Sequence, residues 1–214
     1  MNKTVYNPDE HLVDILEPPM YLPGGKSQGI VQAIRGGDWL HTADVWIYKI
    51  DPVLTILFQQ RPPDSPTHPG KLDCAVAGYL EAGEAPAEGA IREMQEELGL
   101  AVDPSRLKSF GRRFNSMLDH RGRGRKIVAN SHIFRLEEED SILVNPDEVF
   151  ATFWIFADDF FAISKGKSRD IKGKKSTGEY IDITVNSDSF VYNVDEYHLR
   201  MIERLQYLFE KDEL

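Results

Sequence analysis

Cysteine is nearly absent: Cys74 stands alone in 214 residues, so no internal disulfide can form and a reducing compartment is expected. Long apolar runs are missing as well. None approaches the roughly 20 residues that span a bilayer. The opening stretch, MNKTVYNPDEHLVD, has no basic segment followed by an apolar one, so no signal peptide is expected. Basic charge is in the minority, 25 Lys and Arg against 35 Asp and Glu, for a net charge of −10. That balance argues against general affinity for nucleic acid or anionic lipid. It is compatible with an anionic substrate, because a bound divalent cation reverses the local sign. Internal repeats and long low-complexity linkers are also lacking. The expectation is a cytoplasmic globular protein with no membrane or nucleic-acid partner, a homodimer being left open. Lys211-Asp212-Glu213-Leu214 matches an endoplasmic-reticulum retention signal. Nothing at the start provides entry to the lumen, so the match is read as coincidence at a charged helix end.

What is present has the ordinary proportions of a globular chain, 41% hydrophobic and 28% charged. Residues 1–38 carry Pro18-Pro19, Gly24-Gly25 and Gly36-Gly37 around apolar runs at Leu12–Leu16 and Gly29–Ile34, which predicts a β-hairpin-like N-terminal extension. Ala43–Ile50 and Thr55–Gln60 read as adjacent strands across Asp51-Pro52. The proline-rich Pro62–Lys71 is a loop, followed by a strand over Leu72–Ala77. Pro86–Leu98 reads as a helix, with Pro86 in its first turn and Gly99 at its C-terminal cap. Its apolar face is Ala90 or Ile91, Met94 and Leu98. Strands are expected at Leu107–Asn115, Lys126–Leu136 and Thr152–Phe156, and a second helix at Asp158–Ser164. Ser164–Thr177 reads as a lysine-rich solvated loop. Asp195 would N-cap a last amphipathic helix bearing Tyr197, Met201, Leu205 and Leu208. Strands and helices mix without regular βαβ alternation, which predicts an α+β fold. The main domain would be 39–164, with 165–214 packed on it as loop and helix.

Chemistry concentrates between Gly78 and Leu100. On a helix, Glu93, Glu96 and Glu97 lie three and four apart and share one face. Met94 and Leu98 on the opposite face would fix the direction in which those carboxylates point. Magnesium takes oxygen ligands, usually a few carboxylates with waters and substrate phosphates. Gly78 and Gly83 would let backbone approach a ligand closely. Arg92 could pair with Glu84 across the loop–helix junction.

The stretch from Gly78 through Glu84 to Arg92-Glu93-Met94-Gln95-Glu96-Glu97-Leu98-Gly99-Leu100 resembles the signature of the Nudix hydrolase family. Every fixed position is met, with Met94 and Leu100 at the aliphatic places. The resemblance implies an α/β/α sandwich with a mixed sheet and hydrolysis of a nucleoside diphosphate linked to another group. It implies Mg²⁺, with Mn²⁺ able to substitute, held by Glu93, Glu96 and Glu97. Glu84 would support the metal site, and the Ala77 backbone carbonyl would be a further ligand. Arg92 would orient a glutamate, and Glu96, Glu97 or an acid outside the signature would deprotonate the attacking water.

Trp39–Ile47, Gln59-Gln60-Arg61 and His68–Asp73 resemble the branch of that family typified by isopentenyl-diphosphate isomerase. That enzyme places a cysteine before the first signature glycine and a histidine after it. Here Ala77 and Tyr79 occupy those places, so isomerase chemistry is not expected, although His41 matches one of its metal positions. Substrate contacts are expected from Arg61, His41, Trp39 and Glu148, weighed against blander readings. Arg61 could grip phosphate or sit in a surface ion pair. His41 could be a ligand or a hydrogen-bonded strand residue. Trp39 could stack on a base, whereas Trp46, Trp154 and Phe153 read as core. Asp147-Glu148 could supply the outside acid, with Glu137–Asp140 as competitor. The basic run Arg112, Arg113, Arg121, Arg123, Arg125 and Lys126 could guide a nucleotide or simply solubilise a turn. The partner expected is a small-molecule diphosphate. Beside the nucleotide reading stand a non-nucleotide diphosphate, of isoprenoid or thiamine type, and a nucleotide sensor without turnover.

Overall fold

A computed structural model describes residues 12–17, 22–118, 124–191 and 196–214. Pro18-Pro19, Arg121, Arg123 and Asp195 lie outside the described residues. The strands are β1 (Leu12–Glu17), β2 (Leu22–Gly29), β3 (Trp39–Ile50), β4 (Leu54–Gln60), β5 (Leu72–Cys74), β6 (Val76–Tyr79), β7 (Lys108–Leu118), β8 (Gly124–Arg135), β9 (Ala151–Phe156), β10 (Arg169–Lys175) and β11 (Tyr180–Val185). The helices are α1 (Ile30–Gly36), α2 (Pro86–Leu98), α3 (Ala157–Ser164) and α4 (Glu196–Glu210).

One mixed sheet runs β11-β10-β9-β4-β3-β1-β2, with β8 parallel to β3 and β7 antiparallel to β8. Helices cover both faces, as an α+β sandwich requires. The alternation of β3 shows how. Ala43, Val45 and Ile47 pack with Ala90, Met94 and Leu98 of α2. Trp46 and Tyr48 point the other way, into a core shared with Phe160 and Ile163 of α3 and Ile202 and Leu205 of α4. Leu214 packs against that second core too. No helix among the described residues is long and apolar enough to cross a membrane.

The site is opened by a divergence between β3 and β4. They pair only at Tyr48–Ile50 against Leu54–Ile56. Beyond that point β5 follows β4, and β6 follows β3 over Thr42–Val45. The stretch read from sequence as one strand, Leu72–Ala77, is therefore two short strands with different partners, broken at Ala75.

Two further expectations are corrected. The apolar run Gly29–Ile34 forms helix α1, ended by Gly37 in the left-handed region at φ 71°, rather than a strand. The lysine-rich stretch forms β10, which pairs with both β9 and β11. Its Ile171 and Gly173 face inward while Lys172 and Lys174 face solvent, so the strand period is carried by one apolar residue and a glycine. A Cβ at Gly173 would meet the Phe153 ring at 2.2 Å, which explains the glycine.

Candidate active site

Helix α2 has the bounds read from its sequence. Pro86 starts it, the Ala85 N–H donates to Glu88 at 3.0 Å, and Gly99 closes it at φ 63° with its N–H on the last turn. Ala90, Met94 and Leu98 are fully buried, which fixes the rotation of the helix and hence the aim of its acids.

Glu93 and Glu97 are both buried. With Glu148, which is exposed, they offer ligand atoms within 4.8 Å of one another. Glu97 accepts from Gln59 Nε2 at 2.8 Å and from the Ala77 backbone N–H. Glu148 Oε1 accepts from Asn145 at 3.1 Å. Burial raises the Glu93 carboxyl to about 7, against the opposing pull of Arg92. Burial, then the charges of Glu93 and Glu148, push Glu97 well above the usual carboxylate range. Partial desolvation, then Glu96 and Asp147, raise Glu148.

Arg92 organises the approach to this cluster. It grips Glu84 with two hydrogen bonds of 2.8 and 2.9 Å, reaches Glu93 at 2.9 Å and Glu96 at 3.0 Å, and donates to the Tyr79 carbonyl at 3.0 Å. The Glu84 hydrogen bonds above all raise its own pKa. Glu84 also accepts the Glu81 N–H at 2.8 Å, closing the loop before the helix. Gly78 lies against the Glu93 carboxylate. A Cβ there would fall 1.9 Å from Oε1, so the strand can pass the acid only as glycine.

The acid group therefore differs from the sequence-based set. Glu93 and Glu97 are in it. Glu96 is 48% exposed and turned to Arg92, and Glu84 is held by Arg92; neither belongs to the three. Glu148, expected as a substrate contact or outside acid, takes the third place. Its competitor stretch is occupied elsewhere: Asp140 pairs with Arg106 at 2.6 Å and Glu137 with Arg135 at 3.0 Å. Ala77 meets Glu97 through its backbone N–H.

Beside the acids lies a cleft of about 310 Å³, bordered by Ala77–Tyr79 and containing Asp44, Asp73, Arg61, Arg113, Arg125 and Tyr197 among its walls. Arg61 lines it and donates within its own loop, to the Thr67 carbonyl and the Ser65 and Thr67 hydroxyls. His41 and Trp39 do not line it. They share the strand face of Ala43, opposite Thr42 and Asp44, and Trp39 packs edge-on against Phe114 at 6.2 Å. Asp44, Asp73 and Tyr197 were not anticipated as site residues. Asp44 had a legible signal, a carboxylate inside the apolar run Ala43–Ile47; Tyr197 had none, since it reads as one residue of a core stripe.

Fold and site together define an α+β domain with a three-carboxylate cluster beside an arginine-lined cleft. The sequence profile of the NUDIX domain matches residues 40–174, and the chain belongs to that family. It is 35% identical over 104 residues to an uncharacterized Nudix hydrolase of Clostridium acetobutylicum, covering 48% of this chain and 49% of that protein. An uncharacterized Nudix hydrolase of Yersinia pestis is 38% identical over 78 residues, 36% of this chain and 42% of the relative. The chain thus spans about half or less of the curated relatives it matches. The fold is shared with a crystal structure from Deinococcus radiodurans, at TM-score 0.52 and 19% identity over 73% of this chain and 90% of that one. A MutT/nudix family protein of Enterococcus faecalis gives TM-score 0.51 and 17% identity over 80% and 62%.

Proposed function

We propose that the chain is a magnesium-dependent pyrophosphohydrolase that cleaves the phosphoanhydride bond of a nucleoside diphosphate linked to another group. The observation that carries the reading is the convergence of Glu93, Glu97 and Glu148 within 4.8 Å, two of them buried. Carboxylates at that spacing repel one another and resist ionisation unless a cation joins them. An all-oxygen set of carboxylates suits a hard divalent ion, so Glu93, Glu97 and Glu148 would hold Mg²⁺ or Mn²⁺. When bound, such an ion supplies neutralisation of phosphate charge and a lowered pKa for water.

The remaining work falls to the chain. Gln59 and the Ala77 N–H orient Glu97. Arg92 holds Glu84, Glu93 and Glu96 in one hydrogen-bonded frame, so the helix acids meet the substrate already placed. Glu148 is the exposed member of the metal-holding set, and Glu96, exposed on α2 and outside it, takes the proton of the attacking water. Arg61, in the wall of the cleft, attracts the anionic substrate. A second reading is a non-nucleotide diphosphate. It is favoured by Trp39, the expected base-stacking residue, lying outside the cleft.

The test is release of phosphate or monophosphate from nucleoside diphosphate derivatives, dinucleotides, isoprenoid diphosphates and thiamine diphosphate, with magnesium, with manganese and with EDTA. Metal-dependent turnover that collapses in Glu97→Gln supports the reading and ranks the substrate classes. Tight binding of one compound without turnover of any would replace the enzyme with a sensor.

A further inference from the structure

The cleft holds a feature that the acid cluster does not use. Arg113 of β7 lies over the Tyr197 ring, its guanidinium carbon 3.8 Å from the centroid. Its Nε is buried and has no hydrogen-bond partner among the described residues. The residue is half-buried and lines the cleft, and a guanidinium keeps its charge and offers its other donors in a fixed fork that can take an anion there. The platform under it is locked. The Tyr197 hydroxyl bonds Asp44, lies 2.7 Å from the Ser131 hydroxyl and accepts from Trp46 Nε1 at 3.2 Å.

Two further guanidiniums, Arg61 and Arg125, line the same cleft with His68, while none of Glu93, Glu97 and Glu148 does. Desolvation first, then the charges of Arg61 and Arg125 among others, depress the His68 pKa below its ordinary value. The carboxylates of the floor are answered from within the protein. Asp44 accepts from Ser131 and Tyr197, and Asp73 accepts the Cys74 N–H at 2.9 Å. Tyr197 belongs to α4, outside the matched residues 40–174, so the platform comes from this chain's C-terminal helix and not from the segment shared with the family profile.

We propose that Arg113, held on Tyr197 and flanked by Arg61 and Arg125, is a subsite for a second anionic group of the substrate, a phosphate or carboxylate on the moiety beyond the scissile diphosphate. This subsite rests on the hydrolase reading above and narrows its substrate to one charged at both ends.

Calorimetric titration of inorganic pyrophosphate into the full chain in EDTA tests the subsite without turnover. The wild-type chain should bind, and Arg113→Gln should weaken binding by about tenfold or more, the scale of one charge-assisted contact. Arg113→Lys keeps the charge and should recover part of the loss. No binding by the wild-type chain, equal binding by Arg113→Gln, or a Lys variant as weak as the Gln variant each overturns the subsite.

Kinetics with magnesium test the substrate class, using a dinucleotide diphosphate with and without an added 2′-phosphate. Arg113→Gln should raise KM about tenfold for the phosphorylated member alone and leave kcat within about twofold. An equal effect on both members refutes the second-anion assignment. Absence of turnover on every diphosphate refutes the hydrolase reading, and the titration still decides the subsite.

Discussion

Glu97→Gln should stabilise the metal-free protein while removing its activity. Glu97 is buried, and its ligand atom lies within 4.8 Å of those of Glu93 and Glu148, a spacing at which two unit charges repel by about 3 kcal/mol at an effective dielectric near 20. Glu148 is exposed, so solvent screens its share and only the Glu93 pair is counted. If Glu97 keeps a proton to avoid that repulsion, folding instead bears the cost of holding it against neutral solution. Glutamine removes both penalties and can still accept the Gln59 amide. It has one carbonyl oxygen for two donors, and losing one hydrogen bond costs about 1 kcal/mol. The net gain is about 2 kcal/mol, or about 4–8 °C in Tm for a chain of this size. The assay is thermal unfolding at pH 8 in EDTA and in magnesium. Magnesium should raise the wild-type Tm and leave the variant nearly unmoved, since stabilisation by a ligand follows its affinity. A variant with native circular dichroism and an unchanged or lower Tm in EDTA would refute the claim that the buried acids are strained against one another.

Gly78→Ala should unfold little but lose most metal-dependent turnover, because its Cβ would fall 1.9 Å from Glu93 Oε1 and displace that carboxylate; full activity in the variant would count against the close approach as a requirement. Metal-free stability should fall as pH rises. The folded Glu93 carboxyl titrates at about 7 against 4.5 in the unfolded chain, so its penalty is absent below about pH 4.5 and complete above about pH 7. The difference of 2.5 units is about 3 kcal/mol, and urea unfolding in EDTA at pH 5 and pH 8 should show a fall in the wild-type chain that is smaller by about that amount in Glu93→Gln, where Glu97 still titrates. Met94→Ala should cost about 2–5 kcal/mol in urea unfolding, since Met94 is fully buried between α2 and the sheet.

Periodicity made α2 legible to the residue, because a buried stripe of Ala90, Met94 and Leu98 and two cap signals agree with one another. It failed on β10, where Ile171 alone carries the inward face and Phe153 fills the space above Gly173. It failed on α1 because a run as short as Gly29–Ile34 fits strand or helix equally, and only packing of Ile30 and Ala33 against Val13 and Leu40 decides. In the site, local spacing placed Glu93, Glu96 and Glu97 on one helix side but could not tell which of them faces the sheet. Gln59 and Ala77, on β4 and β6, draw in Glu97, while Arg92 turns Glu96 away. Glu148 and Tyr197 join through contacts across more than 50 and 150 residues, to Glu93 and to Trp46 and Asp44, which no local pattern encodes.

The divergence of β3 from β4 is what joins the two halves of this site. Had the strands stayed paired past Tyr48, Asp44 would face a neighbour on β4 and no cleft would open. Because they part, β6 lies along β3 with a different environment on each side. Ala77 presents its N–H to Glu97 while its own side lines the cleft, and Gly78 touches Glu93 while also bordering the same cavity. The cleft and the acids therefore adjoin across a single strand that has no bulk at its closest point. Any side chain at 78 would separate the cationic half from the acidic half by pushing Glu93 away. The glycine is thus required by the Glu93 carboxylate itself, which is a stricter constraint than a turn would impose.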